Sequence, residues 1–322
     1  MSISPVKPDM QRGLSLIEVL IGLALGLLIV AIVGTVFQSV RRAYDLQEST
    51  VEVSEAGRYA LDSIARAVRQ SGSSDLASSA VLEQGNDAFD AAISGLDARF
   101  LKAGTLGIEQ ASSIAVNGSD VLALRFAGAN DGAAIDCAGF SVTSPVGNTS
   151  GQLSGWSIFF VARDARGEPE LHCKYQGKQS WSSAAIVRGV ESFQVLYGVG
   201  ADAAAMPTHF LTADQIDRLD QQLVLRGATP EQRAQDHYRQ THWKKITDIR
   251  VALLIRSMRA VRTDALNQEF DLFGPAYTAQ QAANDLGTRI VESELPSKER
   301  NRLRKLFTTT IRVRNTTLAM PR

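Results

Sequence analysis

Residues 14–37 read LSLIEVLIGLALGLLIVAIVGTVF, and this apolar run decides how the chain is organised. The run contains 24 residues and a single ionisable side chain, that of Glu18. A helix rises 1.5 Å per residue, so the run would be about 36 Å long, enough to cross a hydrocarbon layer about 30 Å thick. We therefore predict that residues 14–37 form a transmembrane helix.

The leader before this run, residues 1–13, indicates how the helix is oriented. It reads MSISPVKPDMQRG and carries Lys7, Asp9 and Arg12. Positive charge ahead of a span tends to stay in the cytoplasm, which predicts a single-pass protein with its N-terminus inside and its C-terminus outside. A cleaved secretory signal is the alternative. It fits poorly, because such signals have an apolar region of only about 7–15 residues and a small-residue cleavage site.

The helical pattern continues beyond the apolar run. Apolar residues recur every three or four positions over Val53–Val68, which is typical of a helix with one buried stripe. Gly72 then interrupts the pattern and fits a helix C-cap. We predict one helix from Leu14 to about Gln70, whose second half, within residues 38–72, is amphipathic and packs on a folded head.

The head, residues 73–322, consists of short runs separated by glycine, asparagine, aspartate and serine. Six runs are rich in aromatic and β-branched side chains, as strands are, and two of them are spaced as a hairpin. These runs are residues 120–126, 156–163, 171–175, 190–199, 246–257 and 307–315. We predict an α+β fold in which the long N-terminal helix packs on a mainly antiparallel β head.

Helical segments are inserted between the predicted strands. TADQIDRLDQQLVLRG begins with Thr212 as a cap, and TPEQRAQDHYRQ has Pro230 in its first turn, where a missing N–H costs nothing. Both lie between residues 208 and 244. A third short helix is predicted for PSKERNRLRKLF, residues 296–307.

The two cysteines, Cys137 and Cys173, both fall in the part predicted to be exported, where the compartment is oxidising. Neither belongs to a CxxC pair, and no closely spaced histidines accompany them, which argues against a zinc site. We predict a disulfide between the two, with a pair of unpaired buried thiols as the alternative.

Composition and motifs argue against several function classes. The chain has 322 residues, 44% of them hydrophobic, and its net charge is zero, so the broad positive surface of a nucleic-acid-binding protein is not indicated. It contains no GxSxG, no HExxH and no phosphate-binding glycine loop. His237 and His242, five residues apart, would face different sides of a helix. We predict no enzymatic activity, no metal site and no cofactor.

Three charged segments have a plain structural interpretation. Asp131 and Asp136 share the loop NDGAAIDC, but two carboxylates fall short of the six to eight oxygens, roughly, that calcium takes. Arg259–Arg262 and Arg300–Lys305 supply local positive charge. We expect these two segments to be solvated or to contact another subunit, with an acidic surface or DNA as the alternative partner.

The segment RGLSLIE, Arg12–Glu18, resembles the class III signal of type IV prepilins and pseudopilins. The resemblance implies that prepilin peptidase cuts after Gly13 and methylates the new N-terminus, Leu14. Phenylalanine is usual at the position of Leu14, so this chain departs from the pattern there. Major pilins also carry a proline near the middle of the membrane segment, and this chain has none.

Glu18 is the fifth residue of the mature chain in this comparison. An ionised carboxylate at bilayer depth costs roughly 2.5–3.5 kcal/mol on insertion scales, so it requires compensation. The resemblance implies that Glu18 pairs with the α-ammonium of Leu14, in a neighbouring subunit or in its own chain, and that this pair sets the register between helices. Gly22 and Gly26 have the small-xxx-small spacing that lets apolar helices pack closely.

Further blocks along the chain resemble the PilW family of minor pilins. They cover most of the chain in the family's order and include both cysteines. The blocks are residues 57–72, 118–126, 136–140, 171–179, 187–199 and 303–315. The resemblance implies a minor pilin that primes pilus assembly at low copy near the tip and supports twitching motility, adhesion or DNA uptake. A minor pseudopilin of a type II secretion system is the main alternative.

The resemblance also implies the partners and the location. The partners are prepilin peptidase, other minor pilins, the major pilin, the inner-membrane assembly platform and the lipid bilayer before assembly, while DNA is left open. The chain would stand in the inner membrane before assembly and in the pilus fibre at the cell surface afterwards. A membrane-anchored periplasmic enzyme would need a catalytic cluster that the sequence lacks, and a tip adhesin with its own ligand is a third alternative.

Overall fold

The computed structural model describes residues 15–72, 91–113, 115–144, 153–200, 207, 209–262 and 267–314. The leader lies outside these ranges, and so do Gly13 and Leu14. The chain divides into two compact units, with the boundary between Glu48 and Ser49.

Helix α1, Leu16–Gln70, confirms the predicted long N-terminal helix. Up to Glu48 every residue of the helix except Gly34 is exposed. From Ser49 onward the buried residues recur every three or four positions, so one stripe of α1 packs on the head. The buried residues of this stripe are Ser49, Val53, Gly57, Ala60, Ser63, Ile64, Ala65, Ala67 and Val68.

The first sheet has five strands in sequential order, each antiparallel to its neighbour. Its strands are β1 Ile93–Leu96, β2 Val121–Phe126, β3 Gly155–Arg163, β4 Pro169–Gln176 and β5 Trp181–Arg188. The predicted hairpin is formed by β3 and β4, while β1 and β5 were not predicted.

The second sheet has four antiparallel strands in the order β11-β8-β6-β7, and a further pair, β9 and β10, forms a two-stranded ribbon. These strands are β6 Val190–Val199, β7 His209–Leu211, β8 Ile246–Ala260, β9 Glu269–Asp271, β10 Arg289–Val291 and β11 Arg302–Arg312. Three-residue strands such as β7, β9 and β10 carry too little alternation to be recognised in a sequence.

The two inserted helices between residues 208 and 244 are present, as α2 Ala213–Gln221 and α3 Pro230–Gln240. Each begins with a capping box, from Thr212 to Gln215 and from Thr229 to Gln232. A further helix, α4 Pro275–Gln281, was not predicted.

The third helix predicted for residues 296–307 is wrong. Only Ser297–Glu299 forms a turn of 3-10 helix, and β11 begins at Arg302. The reason is tertiary: Arg304 pairs with a buried carboxylate of β6, which fixes this segment as a strand beside β8.

A single residue, Gly189, connects β5 of the first sheet to β6 of the second. Its φ is +76°, and a Cβ at this position would lie 2.4 Å from the carbonyl oxygen of Arg256. Its N–H donates to Pro169 of β4, while its carbonyl accepts from Arg256 of β8. Only glycine fits such a backbone conformation and approach.

Three apolar layers hold the second unit together. The largest lies between the buried stripe of α1 and the inner faces of both sheets. The outer face of the five-stranded sheet is covered by the segment containing Phe100 and Leu101. The outer face of the four-stranded sheet is covered by Leu272, Ile290 and Leu295.

Candidate functional site

The start of α1 combines a helix cap with the acidic residue that the sequence singled out. Ser15 directly precedes the helix, and Glu18 is the third residue of its first turn. The backbone N–H of Ser15 donates to Glu18 Oε2 at 3.2 Å, and the N–H of Glu18 donates to the Ser15 carbonyl at 2.9 Å. The positive end of the helix dipole also favours a carboxylate at this position.

This cap was missed at the sequence level, although its signature was present. Ser15 to Glu18 reads S-x-x-E, the pattern of a capping box. Glu18 therefore has a partner in its own chain, one residue from Leu14. The cut site itself lies outside the described residues.

Between Leu16 and Val40, apolar side chains are exposed on every side of α1. A helix that is hydrophobic all round requires lipid or other apolar helices around it. The large exposed apolar residues are Leu16, Ile17, Val19, Leu20, Ile21, Leu23, Leu25, Leu27, Leu28, Ile29, Val30, Ile32, Val33, Val36, Phe37 and Val40. Within the described part of the chain, α1 is the one helix long and apolar enough to cross a membrane.

The glycines of this segment have open surroundings. No atom lies within 4 Å of a Cβ built on Gly22 or Gly26, nor of one built on Gly34. A second helix could therefore approach closely at these positions. The predicted packing role of Gly22 and Gly26 remains a prediction.

The second half of α1 is held by β11. A Cβ on Gly57 would lie 2.3 Å from the ring of Phe307, so the ring occupies the space that the glycine leaves. Lys305 Nζ donates to Ser54 Oγ at 3.2 Å and lies 5.4 Å from the centre of the Phe307 ring.

The predicted disulfide between Cys137 and Cys173 is present, with 5.7 Å between the two Cα atoms. It anchors the loop around Cys137 to β4, where Cys173 is fully buried. The N–H of Cys137 also donates to Ser157 Oγ of β3 at 3.0 Å.

A buried group of arginines and glutamates lies where β6, β8 and β11 meet. Glu191 is fully buried, and its carboxylate oxygens lie 3.0 Å from Arg256 Nη1 and 2.6 Å from Arg304 Nε. The remaining members are Glu168, Glu292, Glu299, Arg163, Arg262 and Arg302. We call these nine residues the arginine–glutamate cluster.

This cluster corrects the expectation for the two basic segments. Arg262, Arg302 and Arg304 were expected to be solvated or to contact another subunit, with DNA as an alternative. Their side chains are instead 8%, 12% and 0% exposed and pair with glutamates of the same chain. The partners lie far apart in sequence, so spacing alone could not reveal them.

Several aspartates of the second unit have no cationic partner within the described part of the chain. Burial raises the pKa of Asp120 well above its ordinary value, and it raises the pKa of Asp285 to about 6. Burial also raises the pKa of Asp97, although the N–H groups of Ala213 and Asp214 at the start of α2 donate to its carboxylate.

The described residues contain no group of three or more His, Cys, Asp or Glu side chains that could hold a metal. In the acidic loop, Asp131 accepts from Ala133 N–H, and Asp136 accepts from Ala138 and Phe140 N–H. Both carboxylates therefore stabilise their own turns.

Two family models match parts of the chain. The model described as "Type IV Pilus-assembly protein W" (PilW) matches residues 158–315. The prokaryotic N-terminal methylation motif matches residues 9–34, which include Gly13, Leu14 and Glu18. No curated protein matches the chain.

Among solved structures, a type IV-like pilin from Thermus thermophilus is similar to the chain. The two sequences are 13% identical, and the match covers 75% of this chain and 95% of that one with a TM-score of 0.31.

Proposed function

We propose that the chain is a minor pilin that primes pilus assembly, because the PilW family model matches residues 158–315 and the prepilin methylation motif matches residues 9–34. The motif implies processing by prepilin peptidase, anchoring in a membrane and interaction with other pilins. We propose that the chain acts through these contacts and catalyses no reaction.

The first turn of α1 is the observation that supports this proposal most strongly. Glu18 lies on an otherwise apolar surface, with its carboxylate at the N–H of Ser15. A cut after Gly13 would create an α-ammonium at Leu14, the residue directly before Ser15. Each charge alone is costly in an apolar layer, whereas the pair partly cancels. In this proposal, stacking subunits pair Glu18 with the Leu14 terminus of a neighbour and so fix their axial offset.

The proposal gives each part of the chain a role. Residues 1–13 are the cytoplasmic leader, which is removed, and residues 14–37 cross the inner membrane before assembly. Residues 38–72 connect this span to the head, and residues 73–322 form the head outside the membrane. The proposed orientation rests on Lys7 and Arg12 ahead of the span.

We propose a position at low copy near the pilus tip. A head of 250 residues, 73–322, is bulky to repeat along a tightly packed rod. At the tip the head would meet other minor pilins above the major pilin, after the inner-membrane platform has drawn the chain into the fibre. Such a position would support twitching motility, adhesion or DNA uptake.

A deletion strain complemented with variants tests the proposal. Deletion should reduce surface pili, and the parent gene should restore them. Glu18→Ala and Glu18→Gln should both insert into the membrane at the parent level but fail to restore pili. Glutamine keeps an acceptor for the Ser15 N–H, so its failure would separate charge pairing from helix capping. Glu55→Ala, an exposed change on α1, serves as the control and should restore pili fully.

Two results would contradict the proposal. Full restoration of pili by Glu18→Ala would refute the pairing of charges. Normal pili in the deletion strain, together with loss of secretion of exported proteins, would assign the chain to a type II secretion system instead.

A further inference from the structure

Strand β5 is a free edge of the five-stranded sheet. It pairs only with β4, because the strand order ends there. Among the described residues, no backbone or side-chain hydrogen bond reaches the other side of β5 between Trp181 and Ala185. An unpaired edge presents a row of N–H and C=O groups that another strand can use.

The β4–β5 turn shows which backbone N–H and C=O groups of β5 face away from β4. The N–H of Gly177 donates to the carbonyl of Ser180, so this pair is hydrogen-bonded across the β4–β5 turn. Bonded and non-bonded pairs alternate along an antiparallel ladder. With the observed register, Trp181, Ser183 and Ala185 are therefore non-bonded positions whose N–H and C=O groups face away from β4.

The β3–β4 hairpin independently indicates the same alternation of hydrogen-bonded and non-bonded pairs. There the N–H of Asp164 donates to the carbonyl of Glu168. Alternation from that pair directs the backbone groups of His172 and Lys174 toward β3. The same residues lie opposite Ala185 and Ser183, which agrees with these two facing away from β4.

The other sheet edges are protected in ways that β5 is not. Natural edges are blunted by short length, charged side chains or proline. β1 has four residues and β7 has three, while β11 carries Arg302, Arg304, Lys305 and Arg312. β5 has eight residues with no proline or lysine, and its single charge, Arg188, is at its end.

A groove of about 670 Å³ lies along the inner face of this edge. Ala184 and Ile186 of β5 form one side of it, and Tyr59 and Ser63 of α1 are on its lining. The disulfide loop, residues 133–139, completes it. A strand paired with β5 would direct every second side chain into this groove, because side chains alternate between the faces of a sheet.

Three charged side chains also line the groove. Arg66 and Arg69 line it together with one acid, Asp136. The carboxylate of Asp136 already accepts the N–H groups of Ala138 and Phe140. Arg66 Nε also lies 3.4 Å from Asp62 Oδ2, so its charge is balanced within α1, and the lining contributed by β5 is alanine and isoleucine.

We propose that β5 binds an extended strand of another pilin, which adds to the five-stranded sheet at Trp181–Ala185. The side chains of that strand that face the groove are apolar. Backbone hydrogen bonds supply the affinity in such strand addition, and the groove supplies the specificity. This site gives the proposed minor pilin a contact between heads, separate from the contacts of α1. The identity of the partner rests on the proposed function.

A photo-crosslinking amino acid at Ala185 tests the proposal in the full chain, in cells that make pili. Ala185 is exposed on the free edge, and Val224, which is 84% exposed in another loop, is the control position. We expect adducts from position 185 that map by mass spectrometry to one extended segment of another pilin. The same segment should not be captured from position 224.

A second variant tests the backbone directly. Ser183→Pro removes an outward N–H and leaves the ladder with β4 intact, whereas Ser183→Ala keeps the N–H. Loss of one hydrogen bond worth about 1 kcal/mol predicts that adduct yield falls at least about fivefold in Ser183→Pro and stays at the parent level in Ser183→Ala. If Ser183→Pro fails to fold, the crosslink map of the parent chain decides.

Several outcomes would overturn the proposal. They are no adduct from position 185, adducts only within the chain or with a second copy, adducts with a protein other than a pilin, and equal capture from position 224. The N-terminal mass of the same protein is measured in parallel. A mature methylated Leu14 without the adduct refutes the β5 site alone, whereas a retained leader refutes the proposed function.

Discussion

At the residue scale, Glu191 has no exposed surface and lies between the guanidinium groups of Arg256 and Arg304. Removing one partner from a buried ion pair leaves an uncompensated charge, which typically costs about 3–5 kcal/mol. The arginine–glutamate cluster connects β6, β8 and β11, so its loss should weaken the whole four-stranded sheet.

We expect Glu191→Gln to lower the free energy of unfolding by about 3 kcal/mol or more, because the two arginines lose their shared anion. Urea unfolding of the full chain in mild detergent, followed by tryptophan fluorescence, measures the effect. Glu269→Gln is the control, since its pair with Arg289 is about half exposed and should change stability by less than about 1 kcal/mol. Equal effects of the two variants would contradict the role of the cluster.

Asp285 makes stability depend on pH in a defined direction. Burial raises its pKa from the ordinary 3.8 to about 6, and it accepts the hydroxyl of Tyr277 at 2.7 Å. The folded state therefore binds more protons than the unfolded state between these values. Stability from this group is fully present below about pH 4 and is lost as the pH rises through about 6.

We expect Asp285→Asn to remove this dependence of the free energy of unfolding on pH, because the side chain no longer titrates. Relative to the parent, the variant should gain on the order of 2–3 kcal/mol between pH 4 and pH 7. Urea unfolding at several pH values measures the difference, with Asp131→Asn in the exposed loop as the control. A parent-like profile in Asp285→Asn would contradict the assignment.

Single residues also mark what the sequence could and could not predict. The disulfide partners Cys137 and Cys173 followed from their number and compartment. The pairing of Glu191 with Arg304 did not, because the two are 113 positions apart and only the sheet order brings them together. The cap formed by Ser15 and Glu18 has a local signature, S-x-x-E, from which it can be predicted.

At the element scale, the long helix and the longest strands could be predicted from the sequence, whereas the three-residue strands β7, β9 and β10 could not. The 55 residues of α1 and the long strands β6 and β8 carry enough periodicity to be assigned from sequence. The segment 296–307 has a helix-like composition, yet pairing with β8 overrides that propensity. The free edge of β5 depends on strand order and so could not be read from local sequence.

The packing of α1 on β11 depends on Gly57. We expect Gly57→Ala to destabilise the chain by about 1–3 kcal/mol, because its methyl group would overlap the ring of Phe307. This would occur although alanine is the better helix former. Gly34→Ala is the matched control, since that position has open space. Urea unfolding compares the two variants, and a stability gain in Gly57→Ala would contradict the contact.

At the scale of the whole molecule, the disulfide constrains the unfolded head. The linked residues are 36 positions apart, which corresponds to about 4 kcal/mol on the chain-entropy model. We expect the double variant Cys137→Ser and Cys173→Ser to lose stability by about this amount in urea unfolding. Reduction of the parent chain should have a similar effect, and no effect of either change would contradict the prediction.

In the proposed function, maturation creates a positive chain end at Leu14, four residues before Glu18, within an apolar helix bundle. Mass analysis of the N-terminus of the protein, purified from cells with active prepilin peptidase, tests it most directly. We predict a mature chain that begins with N-methylated Leu14. A purified chain that keeps residues 1–13 under these conditions would contradict the account.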